Sequence, residues 1–151
     1  MRKTVHRFAR LVPLVAIVAA LLVPTVALAA DTSVQPQSAT LVAKGTAVDV
    51  TVTFTCPAGL TVGYPYGLPS GMSVYLQQAV SKTGQGAGYG FSAGQTCTGQ
   101  PQTAVVAVLA NVAGPPLRNG SAVAFAYLQA CDASLNCVYL ASGPVSIRIT
   151  H

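Results

Sequence analysis

An all-β fold, an antiparallel immunoglobulin-like β-sandwich of about seven strands, is what the sequence predicts. Three observations predict it. The region after residue 30 is rich in Val, Thr, Ala, Gly and Ser and contains no Glu, a composition suited to pleated surfaces and not to helices. One stretch alternates without a break, Val48, Val50, Val52, Phe54 and Cys56 against Asp49, Thr51, Thr53 and Thr55, and period two places the two sets on opposite faces of a strand. Gly- and Pro-rich turn signals recur at short, fairly even intervals with no helical periodicity between them. A small barrel is the second architecture these features allow.

The N-terminus has a different character. Arg2, Lys3, Arg7 and Arg10 precede an apolar run from Leu11 to Val23, then Pro24, then the small-residue site Ala27-Leu28-Ala29. Charge, apolar run and small residues in that order make a secretory signal peptide. Residues 1–29 are therefore expected to be cleaved, leaving 30–151 as one extracellular domain. Retention as a membrane anchor is the alternative, since the apolar stretch counted on to Leu28 approaches spanning length. No cysteine lies near the cut, which excludes a lipoprotein anchor.

Along the mature chain, Asp31–Ser38 reads as a polar lead-in, and Ala39–Ala43 as a short first strand before a Lys44-Gly45-Thr46 turn. After the alternating strand, 57–71 reads as a long loop with Tyr64-Pro65-Tyr66 at its middle. Met72–Val80 is the next strand, with indistinct faces. The glycine-rich stretch from Thr83 to Gly94 reads as a hairpin turn leading into a short irregular strand, and Cys97-Thr98-Gly99 closes it. Thr103–Asn111 is an apolar strand, and Asn119-Gly120 marks a turn that also matches a glycosylation sequon with Ser121. Ala122–Ala130 is a strand with Val123, Phe125, Tyr127 and Gln129 on one face. Val138–Ala141 and Val145–Ile149 finish the chain, separated by Gly143-Pro144.

In an oxidising compartment the four cysteines read as two disulfides. Spacing leaves three connectivities open. The favoured set is Cys56–Cys97 with Cys131–Cys137, the latter stapling a hairpin end. The alternative, Cys56–Cys131, would imitate the inter-sheet bridge of antibody domains, but the chain has no Trp to pack on it. Loop-closure entropy assigns the long bridge about 4 kcal/mol and the short one about 2 kcal/mol.

Composition also narrows the chemistry. The formal charge of +5 comes largely from the N-terminal segment. The mature part has Lys44, Lys82, Arg118 and Arg148 against Asp31, Asp49 and Asp132, a net charge of +1. Four scattered cations do not make a nucleic-acid surface. A Ser-His-Asp arrangement would need the terminal His151, and paired carboxylates would need two of three separated aspartates. Asp132, in the Cys131–Cys137 loop, reads as a turn former. No enzyme activity, cofactor or metal site is expected. The feature above background is aromatic: Tyr64, Tyr66, Tyr75 and Tyr89 are read as lying in or beside the Gly- and Pro-rich connections, with Tyr64, Tyr66 and Tyr89 the candidate binding residues.

The chain resembles the small secreted β-sandwich proteins common in actinobacteria, a group without assigned activity. The resemblance is carried by the signal peptide, the Val-x-Val-x-Val-x-Phe-x-Cys56 strand, the Cys97-Thr98-Gly99 turn, the strand from Gly120 to Cys131 and the Cys131–Cys137 loop before Val145-x-Ile147-x-Ile149. Its end, Cys131 to Ile149, is also similar to the closing hairpin of neocarzinostatin-type apoproteins, sandwiches that shelter a reactive aromatic ligand. That family's first bridge closes a short hairpin whereas Cys56 and Cys97 lie far apart, so no binding residue carries over. The resulting expectation is a secreted non-enzymatic binding or surface-associated structural module, its partner a protein or cell-surface component. The alternative is a small-ligand carrier with a cleft lined by Tyr64, Tyr66 and Tyr89.

Overall fold

The computed structural model describes residues 31–63 and 71–151. Residues 1–29, read above as a signal peptide, and Tyr64-Pro65-Tyr66, read as the middle of a loop, lie outside them. The described chain forms nine strands: β1 Ser33–Val42, β2 Ala47–Thr55, β3 Thr61–Val62, β4 Met72–Ala79, β5 Gln85–Ser92, β6 Gln102–Ala110, β7 Gly120–Cys131, β8 Cys137–Ala141 and β9 Val145–Thr150. Their hydrogen bonds run in the order β7–β4–β5–β6–β2–β1–β9 and return to β7. Seven strands thus close a ring. The expectation of a two-sheet sandwich is corrected: the molecule is a small, mostly antiparallel β-barrel with one parallel contact, β1 to β9.

Closure depends on two narrow seams. β5 meets β6 only over Gly88–Gly90 against Val108–Ala110. β1 meets β9 only over Ala39–Thr40 against Ile149–Thr150. The first seam explains why the sequence pointed to a sandwich. The glycines from Gly84 to Gly94 look like a flexible turn, yet Gly86, Gly88 and Gly90 fall at every second residue of a regular strand and face inward, buried. A Cβ at Gly90 would lie 2.4 Å from the Ala107 carbonyl oxygen, and one at Gly88 2.7 Å from a Val108 methyl. Alternating glycine here permits the close backbone approach that a barrel corner requires. On the far side of β4, β7 turns only small side chains and Leu128 inward, with Ala122, Ala124, Ala126 and Ala130 buried.

The strand expected to be cleanest behaves as its pattern demands. Val48, Val50, Val52 and Phe54 of β2 are buried, and Cys56 continues the row. Thr55, expected on the solvent side, is buried as well, where the strand enters the bridged loops. Three expectations fail for local reasons. β1 begins at Ser33 instead of Ala39, because Pro36 sits beside a bulge, between Pro36 and Ser38, where a missing N–H is tolerated. β4 has sharply distinct faces after all: Met72, Val74, Leu76 and Gln78 are buried, and the inward glutamine disguised the alternation. Asn119-Gly120 is not a hairpin turn, since β6 and β7 do not pair; it ends a crossing segment over one mouth of the barrel.

That segment is a plug. Leu117 is buried, its N–H bonds the Gly45 carbonyl at 3.0 Å, and Gly45 (φ +89°) has no room for a Cβ, which would lie 2.2 Å from the Leu117 oxygen. Gln78 clamps the next residue. Its Nε2 donates to the Arg118 carbonyl at 2.7 Å and its Oε1 accepts from the Arg118 N–H at 2.8 Å. Gln78→Leu should therefore lower the unfolding free energy by about 2 kcal/mol, by stranding two backbone groups. A urea melt checks this, and an unchanged midpoint would show that water replaces the amide.

β8 and β9 lie along the same edge of β7 as one interrupted strand. At the break, Ser142 bridges the gap: its N–H donates to the Ala126 carbonyl at 2.8 Å and its Oγ accepts from the Ala126 N–H at 2.7 Å. The disulfides are Cys56–Cys97 and Cys131–Cys137, the favoured set. Both lie at the mouth opposite the plug.

Candidate functional site

β4, β5, β7 and β8 form one wall, and none of them carries an Asp, Lys, Arg or His. Because side chains alternate, burying Val74, Leu76, Ala124, Ala126 and Leu128 sends their neighbours outward. Register then assembles those neighbours into rows. Tyr75 stands opposite Tyr89 on one side and Phe125 on the other. One step along, Ser73 stands between Phe91 and Tyr127. Gln129 pairs across with Tyr139 one step further.

The rings hold one another in place. The Tyr75 and Tyr89 centroids are 4.9 Å apart with a 51° tilt, and Tyr75 meets Tyr127 edge-on at 5.9 Å, both favourable aromatic geometries. Their hydroxyls are tied to neutral partners: Tyr89 Oη lies 3.3 Å from Ser73 Oγ, and Gln129 Nε2 donates to Tyr139 Oη at 3.2 Å. Two shallow depressions run along this face. One, of about 480 Å³, is lined by Ser73, Tyr75, Gln77, Phe125 and Tyr127. The other, of about 250 Å³, includes Tyr127, Gln129 and Tyr139. They share Ser73 and Tyr127, so they adjoin as a two-part groove across β4, β7 and β8.

Of the sequence candidates, Tyr89 is in this array, and Tyr64 and Tyr66 lie outside the described residues. Tyr75 lies in β4, within the strand expected from Met72, whereas Tyr89 lies in the regular strand β5 and not in a glycine-rich turn, which corrects that expectation. Phe91, Phe125, Tyr127 and Tyr139 were not read as contact residues. For Phe125 and Tyr127 the signal is the alternation of β7, where alanines hold the core face and the large side chains are left for the outside; Phe91 and Tyr139 lie on β5 and β8.

A second concavity, of about 420 Å³, opens at the disulfide mouth between Val62, Gly94, Cys131 and Asp132 and has no aromatic among its described lining. The cleft of tyrosines expected of a carrier is not formed there by Tyr89. Asp132 organises the adjoining loop instead. Its Oδ1 accepts from the backbone N–H groups of Ser134 and Asn136, at 2.8 and 2.9 Å, and its Oδ2 from Asn136 Nδ2 at 2.8 Å. The Asn136 amide, then the Asn136 backbone donor and more weakly that of Ser134, hold the Asp132 carboxyl below the usual carboxylate range against an opposing effect of burial. A lowered folded-state value means that the bonded carboxylate favours the fold above the ordinary range and that this contribution fades as pH falls through the lowered value. NMR titration of Asp132 should give a midpoint below that of an unfolded reference. A midpoint at the reference value would mean the loop bonds do not persist in solution.

Among the described residues, no group of three His, Cys, Asp or Glu side chains is placed to hold a metal ion, and no helix is long and apolar enough to cross a membrane. No family model, curated protein or solved structure matches the chain.

Proposed function

We propose that the chain is a secreted, non-enzymatic binding protein whose contact surface is the outer aromatic face of β5, β4, β7 and β8. The observation that carries this reading is the register that lines up Tyr89, Tyr75 and Phe125, with Tyr127 beside them, on the solvent side of a wall without charge. Exposed aromatic clusters of this kind mark interaction sites, and tyrosines fixed by neighbours give contact area at low entropic cost. Export is supported by the charge, apolar run and small-residue order of residues 1–29, and two disulfides suit an oxidising, extracellular medium. The non-enzymatic reading is supported by the scarcity of titratable groups and by the use of Asp132 as a loop former.

Co-sedimentation of the purified protein with cell envelopes of its producer tests the proposal. The wild type is expected in the pellet, and Tyr75→Ala/Tyr127→Ala in the supernatant, still folded at the assay temperature although the lost ring contacts lower its melting point. Equal sedimentation of both would remove the face from the binding surface, and a wild type left in the supernatant would overturn the surface-binding reading.

A further inference from the structure

Resting on that reading of the face, we propose that the groove takes a neutral glycan chain. Charge is the first argument. The four strands offer no charged side chain, so an acidic or basic partner would leave its own charges desolvated without compensation. The available polar groups are neutral: Ser73, Gln77, Gln129 and the tyrosine hydroxyls. A sugar presents the matching surface, apolar C–H faces that lie on aromatic rings and hydroxyls that donate to and accept from amides and hydroxyls.

Area is the second argument. Tyr75, Tyr89, Phe91, Tyr127 and Tyr139 are 46%, 41%, 41%, 48% and 72% exposed. At roughly 200 Å² per aromatic side chain they offer about 500 Å², short of the roughly 800 Å² that each side of a stable protein interface buries. The rings alone fall short of a second copy of this chain or a globular partner, which would also have to cover Leu109, 64% exposed and opposite Tyr89. Shape is the third argument. The groove crosses from β4 to β8, and the rings extend from β5 to β8, three strand spacings or about 14 Å. That is a linear track, suited to a stretch of chain and not to a single ring.

The chain has six Tyr and no Trp, and four of the six lie on this face, so tyrosine emission reports on these rings together with Tyr64 and Tyr66. The experiment is affinity electrophoresis of the mature protein in gels containing xyloglucan, glycogen or hydroxyethylcellulose, with polygalacturonate as the anionic counterpart, followed by tyrosine fluorescence titration with the polymer that retards it. The expected result is retardation by at least one neutral polymer, none by polygalacturonate, and at least about tenfold weaker binding for Tyr75→Ala and for Tyr127→Ala. Val105→Ala, on the exposed side of β6, should bind as the wild type does. Retardation by polygalacturonate alone would overturn the neutral-glycan assignment. So would absence of any retardation while the double tyrosine variant still loses envelope binding, a result that leaves the face reading intact. Retardation unchanged in both tyrosine variants would overturn both.

Discussion

Gly90→Val is expected to lower the unfolding free energy by about 3 kcal/mol and to open the barrel along one line. The reason is geometric. Gly90 has an ordinary strand backbone, so the new side chain causes no dihedral strain. Its Cβ, however, would stand 2.4 Å from the Ala107 carbonyl oxygen and 2.9 Å from the Val108 Cα. Those are backbone atoms of the neighbouring strand and cannot turn aside as a side chain would. The strand must move, and the β5–β6 ladder has only Gly88–Gly90 against Val108–Ala110 to lose. Hydrogen exchange should therefore show selective loss of protection there, while β2–β6 and β4–β7 keep theirs. Gly143→Ala is the companion measurement. Gly143 has open space around its Cβ position and no left-handed backbone, so the change should be neutral or stabilising by about 0.5 kcal/mol through the unfolded state. Equal melting curves for Gly90→Val and Gly143→Ala would show that β5 and β6 do not meet as closely as the geometry requires.

The same seam shows where reading the sequence stops. Strand identity was legible wherever one face is apolar and the other polar. Val48 to Phe54 on β2 and Val145 to Ile149 on β9 follow that pattern because each strand meets the core on one side and water on the other. The closure was not legible, because its cause is a distance between two backbones, and alternating glycine writes that distance in the same letters as a loose turn. The aromatic face was half legible for a related reason. Tyr75 and Tyr89 stood out as aromatic, but opposite positions on β4 and β5 are a fact of register, which a single chain does not announce. On β7 the usual signal is inverted: alanines occupy the crowded inside, and Phe125 and Tyr127 are left outside. Size, not hydrophobicity, decides which side faces the core. The disulfide set was legible because Cys131 and Cys137 bracket one hairpin and the other two cysteines remain.

The Cys56–Cys97 bridge carries the larger share of the covalent stabilisation, and Cys56→Ala/Cys97→Ala is expected to cost about 4 kcal/mol. The two residues are 41 positions apart, and their loop spans β3, β4 and β5, so the bridge restricts a large part of the unfolded ensemble. Both cysteines are buried, and alanine leaves space without introducing a polar atom. The second bridge spans 6 positions, and Cys131→Ala/Cys137→Ala should cost about 2 kcal/mol. Hydrogen bonds near the first bridge set a limit on the loss. The Cys97 N–H donates to the Leu60 carbonyl, the Gly59 N–H to the Cys97 carbonyl and the Gly99 N–H to the Cys56 carbonyl. These bonds can keep the two loops together without the covalent link, so the native state itself should change little. The loss should then appear in the urea midpoint with the same barrel spectrum below the transition. For a domain whose total stability is about 5–15 kcal/mol, that difference separates a robust protein from a marginal one. Equal losses from the two double variants would mean that chain restriction does not set the bridges' contribution, and that native-state contacts around each sulfur do.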